Sequence, residues 1–164
     1  MTLQACAALV ERADPDRFAA TMAAPPAARA ALWPLYAFNI EVARAPWVTN
    51  EPLIAEMRLQ FWRDTLTAPS PRAHEVAGPL HALCVQTRGL GDLLDQVIVA
   101  RRHDITREAF VNATAFDAYI EDTSATLLWA AALTLQAPPA AETAFRALGW
   151  ATGLASYLRA VPAL

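Results

Sequence analysis

YAFNIEVARAPWVTNEPLIAEMRLQFWRD, residues 36–64, decides how the rest of the chain is read. The stretch holds the end of one helical block, a break at Ala45-Pro46-Trp47, and the start of a second block. Pro52 sits where a first helical residue would, behind Glu51; a proline there forfeits only an N–H that has no intrahelical partner. From Pro52 to Leu66, Leu53, Met57 and Phe61 form one i, i+4 row, joined by Trp62 and Leu66. Glu56, Gln60, Arg63 and Asp64 fall on another face. Upstream, Leu32, Leu35, Tyr36 and Ala43 lie close to one stripe, which predicts a helix over 27–44. Pro34 falls inside it and predicts a kink or a late start.

Outward from this stretch, prolines cut the chain into further helical blocks. Residues 3–13 read as a helix leading to Asp14-Pro15, with Asp14 as N-cap of a short second helix and Pro15 at its first position. Pro25-Pro26 breaks the chain before the 27–44 block. Residues 72–88 give a weaker helix that Gly89 and Gly91 end. Leu93, Leu94, Val97 and Ile98 build an amphipathic helix ending in Arg101-Arg102-His103, where basic side chains complement the helix dipole. Asp104 or Thr106 is expected to cap the longest helix, which reaches Leu135 and stops before Pro138-Pro139. A final helix runs from Ala140 toward Leu158. About seven helices on short loops, with few strand-like alternations, predict an all-α bundle forming a single domain over the whole chain.

Of the 164 residues, 55% are hydrophobic and 18% charged, a balance that builds a core and argues against disorder. A formal charge of −3 gives no general attraction to nucleic acid or an anionic membrane. All 13 basic residues are arginine, which removes Schiff-base and Walker-type lysine chemistry. Cys6 and Cys84 read as free thiols in a reducing compartment. The N-terminal residues match neither a signal nor a transit peptide. The most apolar run, 125–135, is about half of the roughly twenty residues that a membrane helix needs. A cytoplasmic protein with no transmembrane segment and no nucleic-acid partner is expected.

Several short patterns, taken in order, resemble the squalene/phytoene synthase family from Asp14 to Pro162. They are Asp14-Pro15-Asp16-Arg17-Phe18 followed by Arg29, Leu32 and Tyr36-Ala37-Phe38; Trp62-Arg63; Tyr119 with Thr123, Ser124 and Ala125; and the segment from Gly149 to Arg159. The resemblance implies an isoprenoid-synthase-like helical bundle, truncated before the family's C-terminal helices. It also implies the family's reaction, head-to-head joining of prenyl diphosphates. In that family Tyr-Ala-Phe leads into an aspartate-rich motif, whose aspartates correspond here to Ala43, Arg44 and Trp47. A second motif, Arg-Asp-x-x-Glu-Asp, corresponds to Arg159, Ala160, Val161, Pro162, Ala163 and Leu164, of which the arginine alone matches. Ionising an allylic diphosphate requires magnesium, and that hard cation takes carboxylate oxygens from facing helices. Asn39, Glu41, the run EPLIAEMRLQFWRDTL, Tyr119-x-x-x-Thr123 with Leu127-Leu128, and the residues from Leu158 to Pro162 resemble a non-catalytic branch more closely. That branch includes a mitochondrial complex I assembly factor.

The expectation is therefore a non-catalytic assembly or scaffold factor, working through a protein partner or by self-association, without a cofactor. In a bacterial-looking chain this gives cytoplasmic placement, or a peripheral one at the inner membrane through the partner. Two alternatives stay open: a prenyl transferase that binds magnesium through replacement ligands, and a binder of an isoprenoid or lipid ligand. A bundle that stops at the second motif is either a fragment or leaves an apolar face uncovered, and an uncovered face of that kind predicts a homodimer.

The site expected is a polar group of Tyr36, Asn39, Glu41, Arg44, Glu56, Arg63 and Arg159. Glu41 lies one turn after Ala37, and Glu56 and Arg63 could pair with it. These charges read either as rim ion pairs of small weight or as the polar end of a prenyl-sized cavity. No catalytic residue and no metal ligand is assigned. Asp92 with Asp95, and Asp117 with Glu121 and Asp122, could each share a cation, but a helix start and a solvated face account for them. His81 and Cys84, with His74 nearby, lack a second pair of zinc ligands. Gly89-x-Gly91 has no strand before it. Trp33, Phe38, Phe61, Trp62, Phe110, Phe116 and Trp129 fall at core spacings.

Overall fold

Proline and aspartate set the first helix boundaries in the computed structural model, which describes residues 2–160. Helix α1 (Leu3–Ala13) and α2 (Pro15–Ala23) meet at Asp14. The Asp14 carboxylate accepts the Arg17 backbone N–H at 3.1 Å, satisfying one of the orphan donors of the first turn. Helix α3 (Pro26–Arg44) starts on a proline and runs through Pro34 without a break. There it forfeits one backbone hydrogen bond, and burial of its flanks holds the turn together. Then follow α4 (Pro52–Thr67), α5 (Ala77–Gln86), α6 (Leu90–Arg101) and the short α7 (His103–Thr106). A long rod comes next: α8 (Ala113–Ile120), a π-helical turn (Glu121–Ala125) and α9 (Thr126–Thr134). A 3₁₀ turn (Pro139–Ala141) leads into α10 (Glu142–Ala160). No strand occurs among the described residues, and the fold is an all-α, isoprenoid-synthase-like bundle.

Helix α3 is the axis of the core. It buries Leu32, Trp33, Leu35, Phe38 and Val42 against Cys6, Leu9 and Val10 of α1, Leu80 and Leu83 of α5, and Leu127, Ala130 and Ala131 of α9. Phe38 meets Trp62 edge-on with ring centroids 5.5 Å apart, which ties α4 to the same core. Each fully buried side chain of this size stabilises the fold by about 1.5–3 kcal/mol. Outside the core, Arg63 holds Asp95 through two bonds, of 2.5 and 3.0 Å, and Arg102 holds Glu56 at 2.6 Å. These pairs strap α4 to α6 and to the start of α7.

Four sequence expectations change. The row Leu53, Met57, Phe61 is not the inward face of α4: Leu53 is 72% and Met57 63% exposed, while Ala55, Leu59 and Trp62 are buried. Apolar residues circle this helix, so periodicity alone does not choose its face. Helix α5 begins at Ala77 rather than at residue 72, because Pro79 lacks the N–H that an earlier start would need and fits only in a first turn. Gly89 ends the α5 region at a positive φ of 81°, but Gly91 belongs to α6. The long rod is capped by neither Asp104 nor Thr106. Arg107, at φ 54°, stops α7, and Asn112 caps the rod by accepting the Ala115 N–H at 2.8 Å. Phe110 thus lies in the loop before the rod. Val161, Pro162, Ala163 and Leu164, compared above with the second motif, lie outside the described residues.

Candidate functional site

One face of α3 carries Tyr36, Asn39, Ile40, Ala43 and Arg44 on successive turns and continues into Trp47 of the following turn. That face borders a groove. A larger cavity of about 830 Å³ lies between it, the start of α2 (Asp16, Arg17, Ala20), the rod (Thr123, Ser124, Leu127, Leu128) and α10 (Thr152, Gly153, Ser156, Arg159). A second cavity of about 550 Å³ extends toward His103, Phe110, Tyr119 and Tyr157. Ala43, Trp47, Arg101, Ser124, Gly153 and Ser156 line both, so the two are confluent.

The floor of the groove depends on a close helix–helix contact. Of the 19 residues of α10, only Gly149 and Gly153 are buried. A Cβ at Gly149 would stand 2.7 Å from the Ala125 backbone, and one at Gly153 would overlap the Ser124 side chain. Two glycines one turn apart therefore let α10 lie directly on the π-turn. In that turn the Thr126 N–H reaches the Glu121 carbonyl, five residues back. Thr123 donates its hydroxyl to the Tyr119 carbonyl at 2.6 Å. Arg146 of α10 clamps the same turn, donating to Glu121 and to the Thr126 hydroxyl at 3.1 Å each.

The junction of the cavities is a polar triad. The Tyr119 hydroxyl donates to Asp104, with oxygens at 2.8 and 3.0 Å, and accepts from Arg101 at 2.6 Å. Arg101 also pairs with Asp104 at 3.2 Å, while its Nε is buried without a partner. Burial holds the Tyr119 phenol well above its ordinary pKa, opposed by the Arg101 charge, so the hydroxyl keeps its proton. Aromatic rings wall the smaller cavity: Phe110 stacks on His103 at 4.2 Å and stands 5.1 Å from Tyr119. Trp47 is 44% exposed at the mouth, with the Arg107 guanidinium 5.3 Å over its ring.

Of the residues expected at the site, Tyr36, Asn39, Arg44 and Arg159 line the groove together. Glu41 sits behind Arg44, 3.6 Å from its guanidinium. Glu56 and Arg63 are elsewhere and do not pair with Glu41; Arg102 and Asp95 take them instead, because α4 turns that face toward α6. Sequence reasoning missed the site roles of Arg17, Arg101, Asp104 and Tyr157. Arg17 had a local signal, its i, i+3 spacing from the cap Asp14, which it holds at 2.7 Å, and Arg101 and Asp104 share that spacing and pair at 3.2 Å. Arg101 and Asp104 meet Tyr119 only through the fold.

The charge of the larger cavity is cationic. Arg17, Arg44, Arg101 and Arg159 face Asp14 and Asp16. Asp14 is committed to Arg17 and to its helix cap, and Asp16 is 87% exposed with Arg159 at 3.9 Å. A magnesium ion takes carboxylates and waters in near-octahedral geometry, and methyl, guanidinium and indole groups at Ala43, Arg44 and Trp47 do not fit it. Among the described residues no three His, Cys, Asp or Glu side chains gather to hold a metal. Asp95 is bound by Arg63, Glu121 by Arg146, and Asp122 accepts from Gln96 at 2.6 Å. His74 accepts the Val76 N–H at 3.2 Å.

The family described as squalene/phytoene synthase matches residues 10–163. A Drosophila melanogaster protein named NADH dehydrogenase (ubiquinone) complex I, assembly factor 6 homolog is 32% identical over 170 residues, covering 96% of this chain and 50% of its own length. The Homo sapiens and Bos taurus proteins named NADH dehydrogenase (ubiquinone) complex I, assembly factor 6 are each 27% identical, covering 96% of this chain and 48% of their own. The chain thus spans about half the length of the curated relatives it matches. No solved structure gives a significant match.

Proposed function

The chain belongs to the squalene/phytoene synthase family, and from that premise we propose that it is a non-catalytic member acting as an assembly factor for respiratory complex I. The observation that carries the proposal is the groove lining. Where prenyl-diphosphate chemistry needs carboxylates converging from facing helices, this groove presents Ala43, Arg44 and Trp47 on one wall and Thr152, Ser156 and Arg159 on the other. The likeness to proteins named for complex I assembly supplies the partner class. We place the protein in a reducing compartment, with both thiols free, reaching an inner membrane through its partner. No described helix is long and apolar enough to cross a membrane.

Two measurements test this reading. Deleting the gene in its host is expected to lower assembled complex I on native gels and to leave subcomplexes behind; undiminished complex I overturns it. Purified protein with farnesyl or geranylgeranyl diphosphate and magnesium is expected to release no pyrophosphate above background. Release that a chelator abolishes would establish the rival reading, a prenyl transferase.

A further inference from the structure

We infer that α4 is a self-association surface: a second copy of this chain docks on its outward face, antiparallel and two-fold related, with Glu51 of each chain against Arg58 of the other. The inference goes beyond the assembly role and does not depend on it. Two observations carry it. The outward face of α4 is apolar where it meets water: Leu53, Ile54 and Met57 are all exposed, as is Val48 in the loop before them. Its charges then select the occupant. Within α4, Glu56 is held by Arg102, Arg63 by Asp95 and Asp64 by Arg72. Arg58 is the exception and makes no ion pair among the described residues. Glu51, at the N-cap position, makes neither an ion pair nor a capping bond among them. Both side chains are exposed and lie on one flank of the apolar strip, two turns or about 10 Å apart along the axis. At that separation they do not reach each other. A second α4 laid antiparallel carries the same two charges in the opposite order, so Glu51 comes level with the second copy's Arg58 and Arg58 with its Glu51. The same register brings Leu53 against the second copy's Met57 and puts Ile54 beside the two-fold axis. The exposed strip of α10 has no such free pair: Glu142 and Arg146 hold each other, and Arg159 lies toward Asp16. Two helices meeting over about three turns bury less than the roughly 1,200 Å² of a standard interface, so association is weak and the face is open in dilute solution.

The test is sedimentation velocity of the full chain at rising micromolar concentration. The mass is expected to climb from 17.7 kDa toward twice that value. Glu51→Arg and Arg58→Glu each set like charges opposite one another at both ends of the seam, and each should raise the dimer dissociation constant about tenfold. They change the net charge in opposite directions, so a nonspecific charge effect would move them apart rather than together. The double variant Glu51→Arg/Arg58→Glu restores the complementarity and should return the constant to within about threefold of the parent. Unchanged helical circular dichroism shows that each variant is folded. Ile54→Cys, beside the axis, should form a disulfide-linked dimer under mild oxidation, whereas Val85→Cys, on the exposed surface of α5, should not. A monomer at every concentration, single variants that associate like the parent, a double variant that does not recover, or an Ile54→Cys chain that stays unlinked would overturn the inference. So would a dimer that Leu148→Glu/Leu158→Glu breaks, which would place the seam on α10.

Discussion

Tyr119 shows how much one side chain can join. Its hydroxyl links Asp104 on α7 to Arg101 on α6 and is held from the rod. Tyr119→Phe leaves a part-buried carboxylate and guanidinium short of a partner, and is expected to cost about 1–3 kcal/mol in urea unfolding. The two thiols make a pH prediction. Burial raises Cys6 and Cys84 from the ordinary 9.0 to about 11. Folding favours the neutral thiol, so this stabilisation is complete below pH 9 and is lost as pH rises through about 11. Unfolding curves should therefore move to lower urea across that window, and less so in Cys6→Ala/Cys84→Ala. At this scale the sequence was readable at the Asp14 cap, where the signal was local, while the equally local pairs of Asp14 with Arg17 and of Arg101 with Asp104 went unread. The Asp14 cap and the Arg17 beside it are three residues apart; the partners of Glu56 and Arg63 are brought by another helix, and no spacing announces them.

Helices divide in the same way. Boundaries at Pro15, Pro26 and Pro52 follow from a missing N–H and were legible. The inward face of α4 was not, since it depends on what packs against it. Leu59→Ala is expected to cost about 2–5 kcal/mol, whereas Leu53→Ala, on the exposed row, should change stability by less than about 0.5 kcal/mol in the same assay. The contact of α10 with the π-turn gives a sharper case. Gly149→Ala brings a methyl against the Ala125 backbone, which cannot yield as a flexible side chain could. Overpacking of this kind should cost about 1–3 kcal/mol, seen as a lowered thermal midpoint, despite alanine's better helix propensity.

For the whole molecule, α10 is the least finished part. Its outward positions Ala144, Leu148, Ala151, Ala155 and Leu158 alternate four and three residues apart and are all exposed, the seam spacing of helix pairs. Leu148→Glu/Leu158→Glu should reduce binding of an apolar dye such as bis-ANS while leaving the thermal midpoint unchanged, because neither leucine is part of the core. The bundle as a class was legible from periodicity and proline. The groove was not, because it is a space between helices, and its width rests on two glycines meeting a turn that no periodic pattern marks. That π-turn has a further consequence. A π-turn holds one residue more than the α-helix it interrupts, so it acts as a phase slip in the rod. Deleting one residue between Glu121 and Ala125 would restore an unbroken α-helix but rotate everything before it, relative to everything after it, by about 100°. The Tyr119 hydroxyl and the Leu127–Trp129 face could then no longer both meet their partners. The molecule's two halves are thus kept in step by one supernumerary residue.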